Sequence, residues 1–187
     1  RIKDLVPLVR KLNMPAVAVT DTGNLFGAVE FSLTAAKAGV QPIVGCQVSV
    51  AYEVPGPGEK AKPAAPLVLL AKNEVGYLNL MKLNSCLYID KAGALPQVTL
   101  EELERFSAGV ICLTGGSDGP LGRMILAGHL PKARALVQRL AAAYPDSLYV
   151  ELQRHPGEGG ALPEGEAASE SAMVDLAYDM GLPLVAT

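Results

Sequence analysis

The sequence predicts an α/β fold with a parallel sheet or barrel, because one kind of helix-to-strand joint occurs three times. The joints are residues 12–15 before AVAVT, residues 38–42 before IVG, and residues 180–183 before LVAT. In each joint the helix ends on a residue that tolerates left-handed geometry, a proline prevents continuation, and an apolar strand begins. Helices that alternate with such strands are typical of parallel sheets.

The first of these strands leads directly into a cluster of polar side chains. Residues 16–19 form an unbroken apolar run, as expected of a parallel strand that is covered on both faces. Asp21, Thr22 and Asn24 follow it, at the strand end where α/β folds usually carry ligand and catalytic groups. Asx residues also cap helices, so for Asp21 and Asn24 a capping role remains open beside a role in a cleft.

The remaining elements follow in chain order. We expect a helix over 1–12, a strand over 67–71, an Asn73-capped helix to about 89, a capping box at Thr99–Glu102, and strands over 110–113 and 148–152. Further helices are expected around 133–144 and over 169–180, with exposed loops at 52–66 and 157–165. No domain linker is visible, which indicates a single domain over residues 1–187 and no second domain.

Two segments have a structural and a functional interpretation. TGGSDG, after the strand over 110–113, fits neither of the common phosphate-loop patterns and is therefore predicted to be a strand-to-helix turn. The predicted helix that follows Asn73 carries apolar side chains on more than one face, namely Leu78, Met81, Leu83 and Leu87. This distribution predicts a core helix, with a partner groove as the alternative.

Composition excludes several classes of protein. Half of the 187 residues are apolar and 19% are charged, as in ordinary soluble domains, and no apolar run approaches the roughly 20 residues of a membrane span. The net charge of −3 leaves no basic footprint for direct nucleic-acid binding. Cys46, Cys86 and Cys112 are widely separated, which predicts free thiols in a reducing compartment and a cytoplasmic protein.

Six blocks of the chain resemble, in the same order, the PHP (polymerase and histidinol phosphatase) domains at the N-terminus of the alpha subunits of bacterial DNA polymerase III. The blocks are TDTGNLFGAVEF, KAGVQPIVGCQV, LLAKNEVGYLNLMKL, GVICLTGG, LYVELQRH and GLPLVAT. The resemblance implies a distorted parallel (β/α)7-type barrel, which we expect to be truncated here at both ends. It also implies a place in the chromosomal replicase, a DNA-directed DNA polymerase (nucleotidyltransferase). The magnesium that the polymerase uses is expected outside this fragment, which should hold no cofactor.

The resemblance further implies a metal site whose ligands are largely replaced. In metal-binding members, His, Asp, Glu and Cys side chains converge at the C-terminal strand ends. Asp21 and His155 are retained here. Five other positions carry a residue that differs from the one typical of the metal-binding members. Thr22 and Pro66 each replace a histidine, and Gln47 replaces a glutamate. Gly116 replaces a cysteine and Arg154 replaces an aspartate.

These replacements remove the charge that a metal cluster requires. Divalent metals bind carboxylates, thiolates and neutral imidazoles, whereas a guanidinium stays protonated and cannot act as a ligand. We therefore expect a degenerate cleft with no metal and no catalytic residue, held together by side-chain hydrogen bonds. Its positions are Asp21, Thr22, Asn24, Gln47, Pro66, Gly116, Arg154 and His155.

Three functional hypotheses follow. The first is a non-catalytic module that braces the rest of the alpha subunit within the replisome and docks the proofreading exonuclease subunit. The alternative is an active metal-dependent phosphoesterase or 3′–5′ nuclease, with Asp21, His155 and Glu151 as partial ligands. The third is a free-standing α/β module, unrelated to replication, that shares only the fold.

Overall fold

Helices and strands alternate along most of the computed structural model, which describes residues 1–53, 63–89, 95–157 and 160–187. The first half contains α1 (Ile2–Lys11), β1 (Ala16–Thr22), α2 (Ala28–Lys37), β2 (Gln41–Ala51), β3 (Ala65–Ala71), α3 (Glu74–Cys86), β4 (Val98–Thr99) and α4 (Leu100–Arg105). The second half contains β5 (Val110–Leu113), a 3-10 turn (Gly116–Asp118), α5 (Pro120–Leu126), α6 (Leu130–Ala143), β6 (Leu148–Leu152), α7 (Glu164–Met180) and β7 (Leu184–Ala186).

The strands form a curled half-barrel in the order β1-β2-β3-β5-β6-β7, with the short β4 paired to β2. This arrangement confirms the α/β class and the truncated barrel. The pairs β1–β2, β2–β4, β5–β6 and β6–β7 are parallel, as predicted. Strand β3 departs from that expectation, because it runs antiparallel to both β2 and β5. The segment between β2 and β3 is close to the shortest length that can connect two parallel strands. Strand β3 pairs antiparallel to β2 instead.

The reversal of β3 determines which residues meet at the mouth of the half-barrel. Pro66, near the beginning of β3, pairs with Ser49, near the end of β2. The first residues of β3 therefore lie at the same edge as the carboxyl ends of β2 and β5. This edge is the one at which the sequence predicts the cleft.

The three helix-to-strand joints have the predicted geometry. Asn13, Gly39 and Gly181 adopt the left-handed conformation, with φ of 55°, 72° and 64°. Asn73 caps α3 by accepting the N–H of Gly76 at 3.0 Å. The capping box between Thr99 and Glu102 is also formed. Local sequence signals thus account for how these helices begin and end.

Other expectations were wrong in detail. Strand β1 lies at an edge of the described sheet and none of its residues is fully buried, because no strand pairs with its outer side there. Leu83 on α3 and Leu87 just after it are buried, but Leu78 and Met81 face solvent, so only one side of this helix joins the core. Helix α7 begins five residues before the predicted start at 169, so the last residues of the predicted loop over 157–165 are helical. Residues 54–62 and 158–159 of the two predicted loops lie outside the described residues.

The core has two parts. The larger one packs the sheet against α3 to α7. The smaller one lies under α1 and α2 and contains Val6, Val9, Ala35 and Val40. In the described part of the chain, no helix is long and apolar enough to cross a membrane.

Candidate functional site

The first group at the mouth lies on β1 and β2. Thr22 is the last residue of β1 and pairs in register with Gln47, which is inside the long strand β2 rather than at its end. The Gln47 amide donates a hydrogen bond to Thr22 Oγ1 at 3.4 Å. A neutral amide and a neutral hydroxyl therefore meet where the resemblance places a glutamate and a histidine.

Asp21 and Asn24 both serve the turn into α2. Asp21 Oδ2 accepts the N–H of Gly27, the N-cap residue of α2, at 3.2 Å. Asn24 accepts the N–H of Phe26 and donates to the carbonyl of Thr22, each at 3.0 Å. Both side chains are thus used in local structure, although neither is the N-cap residue of α2.

A second group surrounds Glu151, which the sequence analysis considered only as a partial ligand. Its side chain on β6 is 2% exposed. The carboxylate accepts hydrogen bonds from the N–H of Gly115 at 2.9 Å, Thr187 Oγ1 at 2.7 Å and Gln153 Nε2 at 3.2 Å. All three donors are neutral. A buried carboxylate needs such hydrogen-bond partners, and Glu151 has three of them here.

The backbone of β6 is fixed to β5 at the same point. The N–H of Glu151 donates to Oγ1 of the fully buried Thr114 at 2.9 Å. The signal that could have found this group is a carboxylate inside an otherwise apolar strand, LYVEL. Its donors could not be recognised, because they come from three separate segments.

Gly116 lies against this group with no room for a side chain. It has a left-handed φ of 57°, and a Cβ atom at this position would lie 2.3 Å from Gln153 Oε1. Gln153 therefore occupies the space that a side chain at position 116 would need. Pro66 is close to Gly115, since its carbonyl oxygen would lie 2.2 Å from a Cβ atom on Gly115.

Arg154 and His155 are held by α7. Arg154 makes two hydrogen bonds to the carboxylate of Glu170, one of them from Nε at 2.9 Å. His155 contacts Glu166 through its backbone N–H at 2.9 Å and its ring Nδ1 at 2.7 Å. Glu166 and Glu170 are one helical turn apart and so lie on the same side of α7. The hydrogen bonds from His155 lower the pKa of Glu166, and those from Arg154 lower the pKa of Glu170.

Two cysteine thiols belong to the larger core. Cys46 and Cys112 are buried and free, as predicted for structural cysteines. Burial raises the pKa of the Cys46 thiol, and burial together with the charge of Glu151 raises the pKa of Cys112 far above its usual range. Their burial favours the protonated thiol.

The structure thus divides the predicted cleft into separate hydrogen-bonded groups. Thr22 joins Gln47, Gly116 packs against Gln153 beside Glu151, and Arg154 and His155 join α7. Within the described ranges, no three His, Cys, Asp or Glu side chains are placed so that they could hold a metal ion. The neutral donors and the guanidinium do not fit a cluster of divalent cations.

The fold and this edge define a PHP-type domain, and comparison with known proteins agrees. Residues 1–155 match the family model of the PHP domain, and the chain belongs to that family. Two solved structures share the fold at 14% identity. One, from Bifidobacterium adolescentis and provisionally described as a metal-dependent phosphoesterase, has a TM-score of 0.55 and covers 99% of this chain and 80% of its own. The other, an amidohydrolase from Chromobacterium violaceum with bound sulfate and no metal, has a TM-score of 0.54 and covers 96% and 78%.

Closer sequence similarity is to DNA polymerase III subunit alpha, which confirms the resemblance. The chain is 44% identical to that protein of Caulobacter vibrioides over 182 residues, which cover 96% of this chain and 15% of the relative. It is 34% identical to that of Borreliella burgdorferi over 189 aligned residues, covering 100% of this chain and 16% of the relative. The chain therefore spans about one sixth of the length of these relatives, and the similarity extends well beyond a shared fold.

Proposed function

We propose that this chain is a non-catalytic PHP module of the alpha subunit of a replicative DNA polymerase. It braces the polymerase body within the replisome, in the cytoplasm, and docks the proofreading exonuclease subunit. The observation that carries the non-catalytic assignment is Glu151, a buried carboxylate whose three described donors are all neutral. Nucleotidyl transfer and its magnesium belong to other parts of the polypeptide.

The electrostatics of the mouth support this proposal. A site for two or three dications is balanced by anionic ligands. Here Gln47 and Thr22 satisfy each other, Glu151 is satisfied by neutral donors, and Arg154, which cannot act as a ligand, is paired with Glu170. A cation that entered would have to break these hydrogen bonds and would recover few charged ligands in return.

The alternative of a metal-dependent phosphoesterase or 3′–5′ nuclease rests on Asp21, Glu151 and His155. The deciding experiment uses the purified full-length subunit. Metal content is measured by elemental analysis, and manganese-dependent cleavage is measured on a 3′-end-labelled strand in the wild type and in Asp21→Ala. We expect no stoichiometric metal and no cleavage by this domain.

The control separates this domain from a contaminating or associated nuclease. Cleavage that persists unchanged in Asp21→Ala does not come from this mouth. About one equivalent of bound zinc or manganese per chain, together with cleavage that Asp21→Ala abolishes, would establish the alternative.

Docking of the exonuclease needs a separate measurement. Surface plasmon resonance of the full-length subunit with purified exonuclease should give saturable binding. Because the proposed brace contains no metal, the affinity should be the same with and without a chelator. Absence of binding, or binding that the chelator abolishes, would contradict this part of the proposal.

A further inference from the structure

A small cavity lies beside the mouth, between the 3-10 turn, the end of β6 and α7. About 10 Å³ of it is open to the centre of a water molecule. This is roughly the space that one water molecule needs inside a protein. Polar and apolar residues share the wall of the cavity, which consists of Gly116, Ser117, Leu152, Gln153, Glu166, Ser169, Glu170 and Met173.

Buried residues screen much of this wall from solvent. Ser169 and Met173 on α7 are 1% and 2% exposed, and Glu166 is 7% exposed. Gly116 of the 3-10 turn is also buried. Polar atoms in such surroundings need hydrogen-bond partners that bulk solvent does not supply.

Three neutral polar groups on the wall can form further hydrogen bonds. Gln153 donates to Glu151 through Nε2 at 3.2 Å, so its Oε1 can still accept. Ser169 Oγ donates to the carbonyl of Gly165 at 2.7 Å, so the same oxygen can also accept. The hydroxyl of Ser117 can donate, and its Oγ would lie 3.8 Å from a Cβ atom on Gly165. Together these groups offer one donor and two acceptors.

The two carboxylates on the wall are already paired with other groups. Glu166 accepts the backbone N–H of His155 at 2.9 Å and contacts its ring Nδ1 at 2.7 Å. Glu170 accepts a hydrogen bond from Arg154 Nε at 2.9 Å. A cation in the cavity would have to compete with these groups for the same oxygens. A neutral molecule that both donates and accepts hydrogen bonds meets no such competition.

We propose that this cavity binds one ordered water molecule. The water donates to Gln153 Oε1 and to Ser169 Oγ, and it accepts from the hydroxyl of Ser117. These are the three hydrogen bonds typical of a buried water. The water thereby links the 3-10 turn, the end of β6 and α7, which are separate in the chain and meet beside the mouth. The site does not depend on whether the domain is catalytic.

A crystal structure of the full-length subunit, at a resolution that shows ordered waters, tests this proposal. We expect one density peak about 2.5–3.0 Å from Ser117 Oγ, Gln153 Oε1 and Ser169 Oγ. A double variant that combines Ser117→Ala with Ser169→Ala keeps only one of these partners, fewer than a buried water needs, and should lose the peak. Ser171→Ala is the matched control and should keep it, because Ser171 is an exposed serine on the same helix.

Three outcomes would overturn the proposal. The first is a wild-type map that shows other buried waters of this domain but no peak at this position. The second is a peak that persists in the double variant. The third is an anomalous signal at this position in crystals grown with rubidium chloride, which would identify a monovalent cation instead of water. If the double variant does not fold, the wild-type map and the rubidium data decide.

Discussion

Replacement of Gly116 by alanine tests whether Gln153 fills the space beside this glycine. The left-handed φ of 57° alone makes alanine unfavourable by about 1–2 kcal/mol. The new Cβ would also lie 2.3 Å from Gln153 Oε1, and overpacking of this kind costs typically about 1–3 kcal/mol. We therefore expect Gly116→Ala to lower the free energy of unfolding by about 2–5 kcal/mol in total.

Gly128→Ala is the matched control for this substitution. Gly128 also has a left-handed φ, of 74°, but no atom lies within 4 Å of the position of its Cβ. The control should therefore show only the conformational cost of about 1–2 kcal/mol. The difference between the two variants measures the contact with Gln153.

A double-mutant cycle with Gln153→Ala then identifies the clashing group. Gln153→Ala alone loses one hydrogen bond to Glu151, worth about 0.5–1.5 kcal/mol. The Gly116→Ala substitution should cost less in that background than in the wild type. Urea unfolding followed by circular dichroism measures all four proteins. Equal losses for Gly116→Ala and Gly128→Ala, or a cost at 116 that does not depend on Gln153, would refute this account of the mouth.

Three further predictions concern two hydrogen bonds near the mouth and the absence of a structural metal. The pKa of Glu166 is lowered by His155 from the usual 4.5, so its contribution to stability is complete above that pH and is lost as the pH falls through the lowered pKa. In Glu166→Gln the thermal midpoint should therefore depend less steeply on pH below 4.5 than in the wild type; an unchanged slope would contradict this. Thr114→Val leaves the buried N–H of Glu151 without its acceptor and should cost about 1–3 kcal/mol in urea unfolding, whereas a neutral effect would show that the bond contributes little. Dialysis against a chelator should leave the thermal midpoint unchanged, and a fall of several degrees would reveal a structural metal.

Local features of the fold could be predicted from the sequence because short-range physical rules determine them. Asn13, Gly39 and Gly181 end helices in the left-handed conformation, and Asn73 caps α3, as their positions in the chain indicate. The direction of β3 and the edge position of β1 depend instead on which strands pair across long stretches of chain. A short stretch of neighbouring residues does not determine which distant strands pair.

The candidate site shows the same division between local and long-range information. The resemblance gives its predictions for the cleft one residue at a time, and those positions stay a prediction. The hydrogen-bond donors to Glu151 could not be predicted in this way, because Gly115 and Thr187 are 36 residues from Glu151 on either side. The carboxylates of α7 that hold Arg154 and His155 likewise lie in a helix whose beginning was predicted five residues too late.

His155 is the residue on which the two functional interpretations differ most. Its contact with Glu166 does not by itself exclude metal binding, since metal-bound histidines commonly hydrogen-bond to a carboxylate through the other ring nitrogen. We expect no metal there, in line with the proposed function. Arg154 is adjacent and positively charged, Gln47 is neutral, and Glu151 is satisfied by neutral donors. Under the proposed function, the contact with Glu166 links the segment after β6 to α7 and has that structural role alone.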